Sequence, residues 1–483
     1  MIGGGLAGLS SAVALADAGC SVCLLEKRPR LGGRATSYTL PDGSEVDNCQ
    51  HVTLGCCTNL ADFCRRVGSD GKIRFYDRLY FADAQGSRST IEASLLPPPL
   101  HMAPSFLFFG ALNFADKRAI ASALLSIARA GGDPPGIDGR SMLDWLHQMR
   151  QTPGAIKRFW RVVLVSALDE ELARTDARYG VDVFWKAFLG SRGGYRVGIP
   201  SVPLADLYRG CGAAIVDRGG EVRLRCGVRE IRVRDSNFAG AVLADGSEVM
   251  ADACIAAVSH DALPKLLPAE MRADGQPLAG LQHVKSSPIT GVHLWFNRPV
   301  MAEPFLALLD HTTQWVFNKS RLYGVDETGE TNSGRRQETG SHAKTNGQYL
   351  QLVISASYDL VPRSRQEIID LCLRELADVL PDTRGARLVR ATVIKEVNAT
   401  FSPAPGVNRW RPGQEIGMKN LCLAGDWTRT GWPATMEGAV RSGYLAAEAL
   451  LARFGHPQTY LRPDSPPEGL SKFWVRRKAA RPL

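Results

Sequence analysis

The chain has 483 residues and a formal net charge of +9; 45% of the residues are hydrophobic and 22% are charged. This composition is typical of a globular protein and excludes disorder over most of the length. A chain of this length predicts two or three packing units. No apolar run reaches the roughly 18 residues that cross a bilayer, so no membrane-spanning helix is predicted. Eleven scattered cysteines do not resemble the framework of a small disulfide-bonded domain, which favours reduced thiols.

The N-terminal residues carry a dinucleotide-binding pattern. Three glycines fit G-x-G-x-x-G and precede an Ala- and Leu-rich helix and a strand from Ser21 to Leu25. In this pattern the glycines allow close approach to a pyrophosphate, the helix N-terminus offers free N–H groups, and an acid at the strand end accepts from ribose hydroxyls. The residues predicted to bind the nucleotide are Gly3, Gly5, Leu6, Ala7, Gly8, Glu26 and Lys27.

A second glycine pair follows the acid. In "RPRLGGRA", Gly32, Gly33 and Arg34 resemble the extension found in flavoproteins of the amine oxidase and phytoene desaturase superfamily. The resemblance implies FAD as the cofactor. It also implies that the backbone here and Arg34 contact the FAD phosphates and ribityl chain.

The C-terminal part contains the other half of such a site. "NLCLAGDWTRTGW" predicts a short buried strand from Leu421 to Ala424, then a Gly-Asp pair, a loop, and a helix that begins near Met436 with small residues on one face. The segment resembles the C-terminal FAD segment of the same superfamily. There the Asp binds the ribityl chain or pyrophosphate, and the helix start points at the isoalloxazine. The residues assigned on this resemblance are Gly425, Asp426, Met436 and Ala439.

Two nucleotide segments at opposite ends of the chain predict an α/β fold. A discontinuous Rossmann-like FAD-binding domain, with the parallel sheet of the amine oxidase type, would carry a substrate domain of mixed β-sheet and helices that faces the membrane. The predicted ranges are 1–70, 205–265 and 396–453 for the FAD-binding domain, 75–204 and 266–395 for the substrate domain, and 454–483 for a basic C-terminal tail.

Local patterns between the two ends predict strands and turns. Alternating apolar residues around Asp245 and Gly246 predict a hairpin turn at that pair. On the superfamily resemblance, the backbone of Val228 contacts the adenine. The polar, turn-rich stretch that begins at Asp326 predicts an exposed, mobile loop.

The N-terminus is short for this fold. A first strand of this kind needs about five residues before the glycines, and only Met1 and Ile2 precede them. We therefore expect the native chain to start upstream, which leaves the central strand short. No basic segment precedes an apolar run, so no secretory signal is predicted.

The order of these motifs, together with "DNCQH", "LGCC" and "LPPPLHMAPSFLFF", resembles that of the squalene-associated FAD-dependent oxidoreductases. These are the hydroxysqualene dehydroxylases, bacterial relatives of phytoene desaturase. The resemblance runs from Met1 to about Ala452. It implies a long-chain isoprenoid substrate, hydroxysqualene, which loses its hydroxyl to give squalene for hopanoid synthesis with reduced FAD. The family has Gly more often than Cys at position 49, and Asn where this chain has Asp169.

Two other flavoenzyme activities stay open. A carotenoid or phytoene desaturase runs the flavin in the opposite redox direction, and an amine oxidase is the more remote alternative because no aromatic cage for an amine is recognisable. The sequence determines neither the direction of electron flow nor the electron donor. A nucleic-acid partner is discounted, because no basic stripe interleaved with aromatic residues occurs outside the short C-terminal tail.

The segment "EVDNCQHVTLGCC" from Glu45 to Cys57 lies where, in the superfamily, the chain passes beside the flavin. We predict Asp47, Gln50 and His51 as catalytic residues. His51 or Asp47 would protonate the leaving hydroxyl, and Gln50 would position it. The alternative is that Asp47 and His51 hold the loop by hydrogen bonds and reach FAD only through backbone.

Soft ligands in the same segment raise the alternative of a metal site. Cys49, His51, Cys56 and Cys57 lack the paired C-x₂₋₄-C spacing of structural zinc sites, and adjacent cysteines point in opposite directions. No metal is therefore predicted. Packing explains the C-x-x-C motif at Cys20.

Two segments suit a membrane surface. "PLHMAPSFLFFGALNFADKR" would dip into the interface or line a substrate entry, or else form a buried helix. "KFWVRRKAARPL" combines aromatic and basic residues that suit anionic headgroups, or else is a disordered tail. We expect a cytoplasmic protein that is peripheral at the inner face of the cytoplasmic membrane. The apolar residues of the first segment are Leu100, Met102, Phe106, Leu107, Phe108 and Phe109.

Overall fold

The computed structural model describes residues 1–273, 275–276, 278–324 and 347–475. The loop predicted from Asp326 and the last part of the basic tail lie outside the described residues. Over the part that is described, no helix is both long and apolar enough to cross a membrane.

The elements below are numbered in chain order. The strands are β1 (Cys23–Leu25), β2 (Ser37–Thr39), β3 (Glu45–Asp47), β4 (Thr53–Leu54), β5 (Ile73–Tyr76), β6 (Arg78–Ala82), β7 (Arg88–Glu92), β8 (Val197–Pro200), β9 (Glu221–Arg223), β10 (Val228–Arg234), β11 (Asn237–Leu243), β12 (Glu248–Val249), β13 (Cys254–Ala256), β14 (Ser286–Phe296), β15 (Phe305–Leu308), β16 (Trp315–Asn318), β17 (Gln348–Ile354), β18 (Leu388–Phe401) and β19 (Leu421–Leu423). The α-helices are α1 (Leu6–Asp17), α2 (Thr58–Arg66), α3 (Ala103–Leu107), α4 (Phe114–Arg129), α5 (Met142–Gln148), α6 (Pro153–Ala155), α7 (Arg161–Leu168), α8 (Ala177–Val183), α9 (Leu204–Leu207), α10 (Arg209–Val216), α11 (Leu263–Leu266), α12 (Lys319–Leu322), α13 (Arg365–Val379) and α14 (Met436–Arg453). Two π-helical stretches span Ile156–Trp160 and Phe184–Leu189.

Short parallel segments form the core of a Rossmann-like sheet. β9 pairs with β1, Ile2 bridges β1 to β13, and β13 pairs with β19. Ile2 N donates to Ile255 O at 3.0 Å, so the first residues of the chain occupy the central position. The predicted fold class is confirmed, with strands slightly shorter than the predicted 21–25 and 421–424.

Helices α1 and α14 pack against each other beside this sheet at short range. A Cβ atom at Gly443 would lie 2.1 Å from Ser10 Oγ and 2.3 Å from Ala7 O. Ser10 Oγ donates to Val440 O at 3.3 Å across the same contact. The small residues predicted on one face of the C-terminal helix are therefore what allow the contact. α14 begins at Met436, which confirms the predicted start.

The substrate domain is built on a seven-stranded sheet with the order β18-β14-β17-β16-β15-β6-β7. Its neighbours are antiparallel except β15 and β6, which are parallel, so the sheet is mixed. Successive side chains of a strand point to opposite faces. One face packs on α13, where Leu294 and Leu352 cluster with Ile368. The other face turns to the helical layer, and Trp315 Nε1 donates to Ser166 Oγ of α7 at 2.6 Å.

The stretch after α14 is packed on the protein body as far as Val475. Arg462 Nε lies 3.0 Å from Asp62 Oδ1, and Leu470 N donates to Pro98 O at 2.8 Å. Ion pairs and backbone hydrogen bonds therefore attach the residues after α14 to both domains. The basic and aromatic tail from Lys472 is described only as far as Val475, so its disorder stays a prediction.

The segment predicted to meet a membrane contains both exposed and buried apolar side chains. Leu100, Leu107 and Phe108 are exposed, Phe108 to 88%. Phe109 belongs to the core at 2% exposure, and Phe106 is partly buried against the core. Phe109 is thus an anchor of the segment and does not belong to its outer surface.

Candidate functional site

The first glycine turn leads into the open N-terminus of α1. Gly3 has a φ of +103°, and a Cβ atom there would lie 2.4 Å from Ala257 O. At Gly8 a Cβ atom would lie 1.9 Å from Gly3 O, so close packing on the sheet requires glycine. Gly5 is the N-cap of α1, and no side chain in the described part of the chain caps this helix. The N–H groups of the first turn, from Leu6 to Gly8, are therefore open to an anion, whereas Leu9 N already donates to Gly5 O.

The second glycine turn touches the first. Gly32 and Gly33 both have positive φ, and a Cβ atom at Gly33 would lie 2.8 Å from Gly5 Cα. The buried side chain of Glu26, at the end of β1, accepts from Gly4 N at 2.6 Å. The acid and both turns therefore surround one place, where N–H groups suit a pyrophosphate and the carboxylate suits ribose hydroxyls.

Val228 is close to this acid through the residues that precede it. Cys226 N donates to Glu26 O at 2.8 Å, and Gly227 approaches the side chain of the exposed Lys27. Val228 itself opens β10. The structure therefore brings Lys27 and Val228 to the ribose end of the site.

Arg34 and Asp426 join the two ends of the chain. Arg34 Nη2 lies 2.7 Å from Asp426 Oδ1, and Arg34 Nη1 donates to Ala399 O at 2.7 Å. Asn48 Nδ2 donates to Arg34 O at 2.9 Å, while Asn48 Oδ1 is buried without a partner among the described residues. The open helix N-terminus, the glycine cradle and this orphan oxygen fit a bound dinucleotide, which the segments at both ends of the chain would hold.

Arg411, a residue that the sequence analysis missed, holds the loop after Gly425. It is 1% exposed. Its Nη2 donates to Asp426 O and to Trp432 O, both at 3.0 Å, and its Nε donates to Trp427 O at 3.2 Å. One side chain therefore satisfies several carbonyls of the loop that carries Asp426. An Arg in the polar stretch "NRWRPGQE" gives no local signal of this role.

The first turn of α14, which contains Met436 and Ala439, closes the same region. The Glu437 carboxylate in this turn accepts from Asn59 N at 3.1 Å and Leu60 N at 2.7 Å. These are free N–H groups at the start of α2, so a carboxylate is favourable there. The start of α14 is thereby tied to the residues that follow "LGCC".

A buried polar cluster of Asp47, Gln50, Lys319 and Tyr323 lies beside this region. Lys319 Nζ donates to Asp47 Oδ2 and to Gln50 Oε1, each at 2.8 Å, and Tyr323 OH donates to Asp47 Oδ2 at 2.7 Å. The side chains of Asp47 and Lys319 are 1% and 0% exposed. Burial acts to raise the pKa of Asp47, but the Lys319 ammonium and several hydrogen bonds outweigh it, so this pKa lies below its usual range.

This geometry corrects the prediction that Asp47 gives a proton to a hydroxyl. Its two oxygens accept from Ser37 Oγ, Leu204 N, Lys319 Nζ and Tyr323 OH. An ionised carboxylate with four donors carries no proton to give. Asp47 is a positioning residue, which agrees with the alternative that it holds the loop.

His51 is half-buried and immediately follows Gln50 of the polar cluster in the sequence. Its Nδ1 is 3.4 Å from Cys49 O, so Nδ1 donates in the neutral ring and Nε2 is left to take up or release a proton. Burial lowers the pKa of His51. Gln50 Nε2 donates to His51 O at 3.0 Å, which links the backbone of His51 to the polar cluster.

Cys49 adopts a backbone conformation that favours glycine. Its φ is +62° and it is 3% exposed. A Cβ atom at the facing Gly291 would lie 3.0 Å from Cys49 Sγ, so the absence of a side chain there makes room for the thiol. Cys56 packs elsewhere, with Trp432. Within the described ranges, no three metal-ligating side chains come together, and the eleven cysteines are free thiols.

A cavity of about 980 Å³ lies between the residues after β13 and the start of β14. Its lining is mostly apolar, with His260, Ser286 and Tyr358 among its polar residues. Burial lowers the pKa of His260, and the Asp426 carboxylate opposes that shift. The Asp426 carboxylate therefore acts electrostatically on a residue that lines the cavity, and the cavity volume is in the range of small-molecule sites.

The profile of the flavin containing amine oxidoreductases matches residues 6–451. The chain belongs to this family. Its cofactor is FAD, as the two glycine turns and the Gly425–Asp426 segment predicted. The protein is an FAD-dependent oxidoreductase, and the glycine cradle, Glu26 and Arg34 are the residues that fit the cofactor.

Two relatives of similar sequence are named as carotenoid desaturases. Zeta-carotene desaturase from Zea mays is 28% identical over 480 residues, which cover 94% of this chain and 84% of the relative. 15-cis-phytoene desaturase from Synechococcus elongatus is 27% identical over 476 residues, which cover 93% of this chain and 95% of the relative.

Two solved structures share the fold. An oxidoreductase from Methanosarcina mazei has a TM-score of 0.70 at 18% identity, covering 92% of this chain and 97% of that one. A double mutant of putrescine oxidase has a TM-score of 0.69 at 16% identity, covering 93% and 98%.

Sequence reasoning did not identify the partners of Asp47. The structure brings Asp47 and Gln50 together through Lys319, which is 272 residues from Asp47 along the chain. Lys319 follows the apolar strand β16, and a lysine at a strand end is ordinarily exposed. Only the tertiary contact reveals its role.

Proposed function

We propose that this FAD-dependent oxidoreductase removes the hydroxyl group of hydroxysqualene and forms squalene for hopanoid synthesis. The order of motifs from the first glycine turn to α14 supports this assignment. The names of the relatives, which act on ζ-carotene and phytoene, support a long-chain isoprenoid substrate.

The observation that carries the proposal is one polar cluster beside an apolar wall. On the sheet face opposite α13, Trp315, Phe305 and Phe317 form a cluster of three rings, with the Trp315 centroid 6.2 Å from Phe305 and 6.1 Å from Phe317. The polar cluster lies where Lys319 follows β16 on the same sheet. A long isoprenoid with one hydroxyl needs apolar lining over its length and polar groups at one point, whereas a hydrocarbon needs only the lining.

The residues of the site divide the chemistry between them. His51 gives a proton from Nε2 to the hydroxyl, and the carbon–oxygen bond breaks with its electron pair on the departing water. When bound in its reduced form, FAD supplies the hydride equivalent that the carbon receives. The hydride thus takes the place of the hydroxyl on carbon, and the hydroxyl leaves with the proton as water. Lys319 and Asp47 hold Gln50, which positions the hydroxyl. We retain His51 as the donor because Asp47 carries no proton.

A second candidate is a carotenoid desaturase, which the names of the relatives favour. A desaturase removes hydrogen from a hydrocarbon and reduces FAD, so it needs the oxidised enzyme. The two candidates therefore differ in the redox state in which the enzyme acts.

The test uses the FAD-loaded protein without oxygen. We expect the reduced enzyme to convert hydroxysqualene to squalene, with one FAD oxidised for each squalene, scored by mass spectrometry and flavin absorbance. Oxidised enzyme with phytoene, and oxidised enzyme with an amine, are the parallel arms. Desaturation of phytoene without squalene formation from hydroxysqualene would contradict the proposal and favour the second candidate.

We also propose that the protein is peripheral at the inner face of the cytoplasmic membrane. Large exposed apolar side chains lie on three segments: the 95–108 stretch, the start of α4 and the 3₁₀ turn at 469–474. Backbone hydrogen bonds and packing hold these segments next to one another. Exposed or half-exposed basic residues accompany them, and this combination suits an anionic lipid surface. The apolar residues are Leu95, Leu107, Phe108, Phe114 and Phe473; the basic ones are Lys117, Arg118 and Lys472.

Flotation with anionic phospholipid vesicles tests the surface. The double variant Leu107→Ser/Phe108→Ser should lose most vesicle binding, because it removes two exposed side chains while Phe109 keeps the segment anchored. Met250→Ser is the matched control, since Met250 is 69% exposed on another part of the molecule. Equal flotation of both variants would contradict the membrane surface.

A further inference from the structure

Gln351 is an unpaired amide in the interior of the substrate domain. It lies in β17 and is 0% exposed. Neither its Oε1 nor its Nε2 has a hydrogen-bond partner among the described residues. Buried side-chain amides are nearly always paired, so an unpaired one calls for a ligand, a water or a functional reason.

The neighbouring glutamine on the same strand shows the ordinary arrangement. Gln348 Oε1 accepts from Val300 N at 2.8 Å and from Met301 N at 2.9 Å, and its Nε2 donates to Met301 O at 2.7 Å. The fold can therefore satisfy a glutamine three residues away, whereas both polar atoms of the Gln351 amide are left open among the described residues.

Gln351 lies on the sheet face that turns to the helical layer. In the register of the sheet it is flanked by His293 on β14 and Phe317 on β16. The ring of His293 is paired through Nδ1, which lies 2.7 Å from Tyr349 OH, while its Nε2 is also without a partner among the described residues. Gln351 thus lies between a half-paired histidine and the aromatic residue Phe317.

The same position is next to the polar cluster. Asn318, which immediately precedes Lys319, pairs with Leu350 in the register of β16 and β17. Gln351 pairs with Phe317 in the same register, so the open amide and the Lys319 backbone lie two residue positions apart, on either side of the Asn318–Leu350 pair.

We propose that Gln351 is the residue that recognises the oxygen of an oxygenated isoprenoid. An amide offers one acceptor and one donor group, which match the O–H and the lone pairs of a hydroxyl. A hydrocarbon of the same length leaves the amide unpaired, and a site built to pair a hydroxyl rejects the analogue that lacks it. This inference rests on the proposed function and adds the specificity determinant.

The test compares Gln351→Leu with Gln348→Leu in the FAD-loaded protein. Affinities of the oxidised enzyme for hydroxysqualene and for squalene are measured by the change in flavin absorbance, and unfolding is followed in urea. For Gln351→Leu we expect the preference for hydroxysqualene to fall by about tenfold or more, the scale of one lost hydrogen bond. Squalene affinity and stability should stay the same or rise, because an unpaired amide is removed.

Gln348→Leu should show the opposite pattern, with lower stability and an unchanged preference, since it leaves two N–H groups unpaired. Two results would overturn the inference: an unchanged preference in Gln351→Leu, or a loss of stability in that variant as large as in Gln348→Leu, which would mean that the amide is paired in the folded protein. Failure of wild-type enzyme to form squalene would instead count against the proposed function.

Discussion

The glycine turns and the polar cluster both bury polar groups, but they pair them over different distances along the chain. At the turns, Glu26 accepts from Gly4 N, and the residues involved are near neighbours in sequence. In the polar cluster, Asp47 pairs with Lys319 at a separation of 272 residues. Spacing fixes the geometry of the first region, whereas only the assembled fold brings the second together. The variants below separate these two kinds of site, from the largest expected effect to the smallest.

Lys319→Met tests the long-range ion pair. It leaves the buried Asp47 carboxylate without its cation, and we expect a loss of about 3–5 kcal/mol in the free energy of unfolding, measured in urea. Arg78→Met in the same sheet is the control, because Arg78 pairs with Glu92 at the surface and its loss should be hardly measurable. Equal losses of unfolding free energy in the two variants would show that the Asp47–Lys319 pair contributes no more than a surface ion pair.

His51→Ala tests the proton donor beside the polar cluster. We expect squalene formation to fall by about 100-fold while FAD stays bound, since general acid catalysis contributes on this order. The donor works in its protonated form, and burial lowers the pKa of His51 below the ordinary 6.5. The wild-type rate should therefore fall as the pH rises from the acid side towards neutrality. A near-normal rate in the variant would exclude a catalytic His51.

Gly443→Ala tests the contact between α1 and α14 beside the glycine turns. The added Cβ meets Ser10 Oγ and Ala7 O, so α1 must move away from α14 at the cofactor site. We expect about 1–3 kcal/mol of destabilisation and a lower FAD content, read from the ratio of flavin to protein absorbance. Gly413→Ala is the control, because nothing lies within 4 Å of its added Cβ. Full FAD content in Gly443→Ala would contradict the role of the helix contact.

His101→Phe tests a buried polar group that the fold leaves unpaired. Both ring nitrogens of His101 lack partners among the described residues, and burial, with Arg192 nearby, lowers its pKa to about 4. Between pH 6.5 and 4 the unfolded state binds the proton first, so the free energy of unfolding falls as the pH falls, by about 1 kcal/mol per pH unit. His101→Phe should flatten this slope in urea titrations at several pH values, and an unchanged slope would contradict the assignment.

The sequence predicted the parts of the molecule that depend on near neighbours. The glycine turns, the acid after β1 and the start of α14 at Met436 follow from spacing, capping and the room that glycine leaves. The sequence left two roles for Asp47 open, proton donor or loop anchor, because its partner Lys319 is far away in sequence. Whether Phe109 is buried was left open for the same reason, since the four consecutive apolar residues from Phe106 to Phe109 do not say which of them face inward.

By itself the sequence determined a dinucleotide site and the α/β fold class, because backbone turns of glycine, a free helix N-terminus and an acid at a strand end have the same geometry wherever they occur. The choice of FAD followed from the resemblance of the second glycine pair and the Gly425–Asp426 segment to the flavoprotein superfamily. The tertiary structure alone decided that Asp47 is paired, that Cys49 fits opposite Gly291, and that Gln351 is left open. The reason is physical. The charge state and hydrogen bonding of a buried group depend on which distant segments pack against it, and that packing exists only in the folded chain.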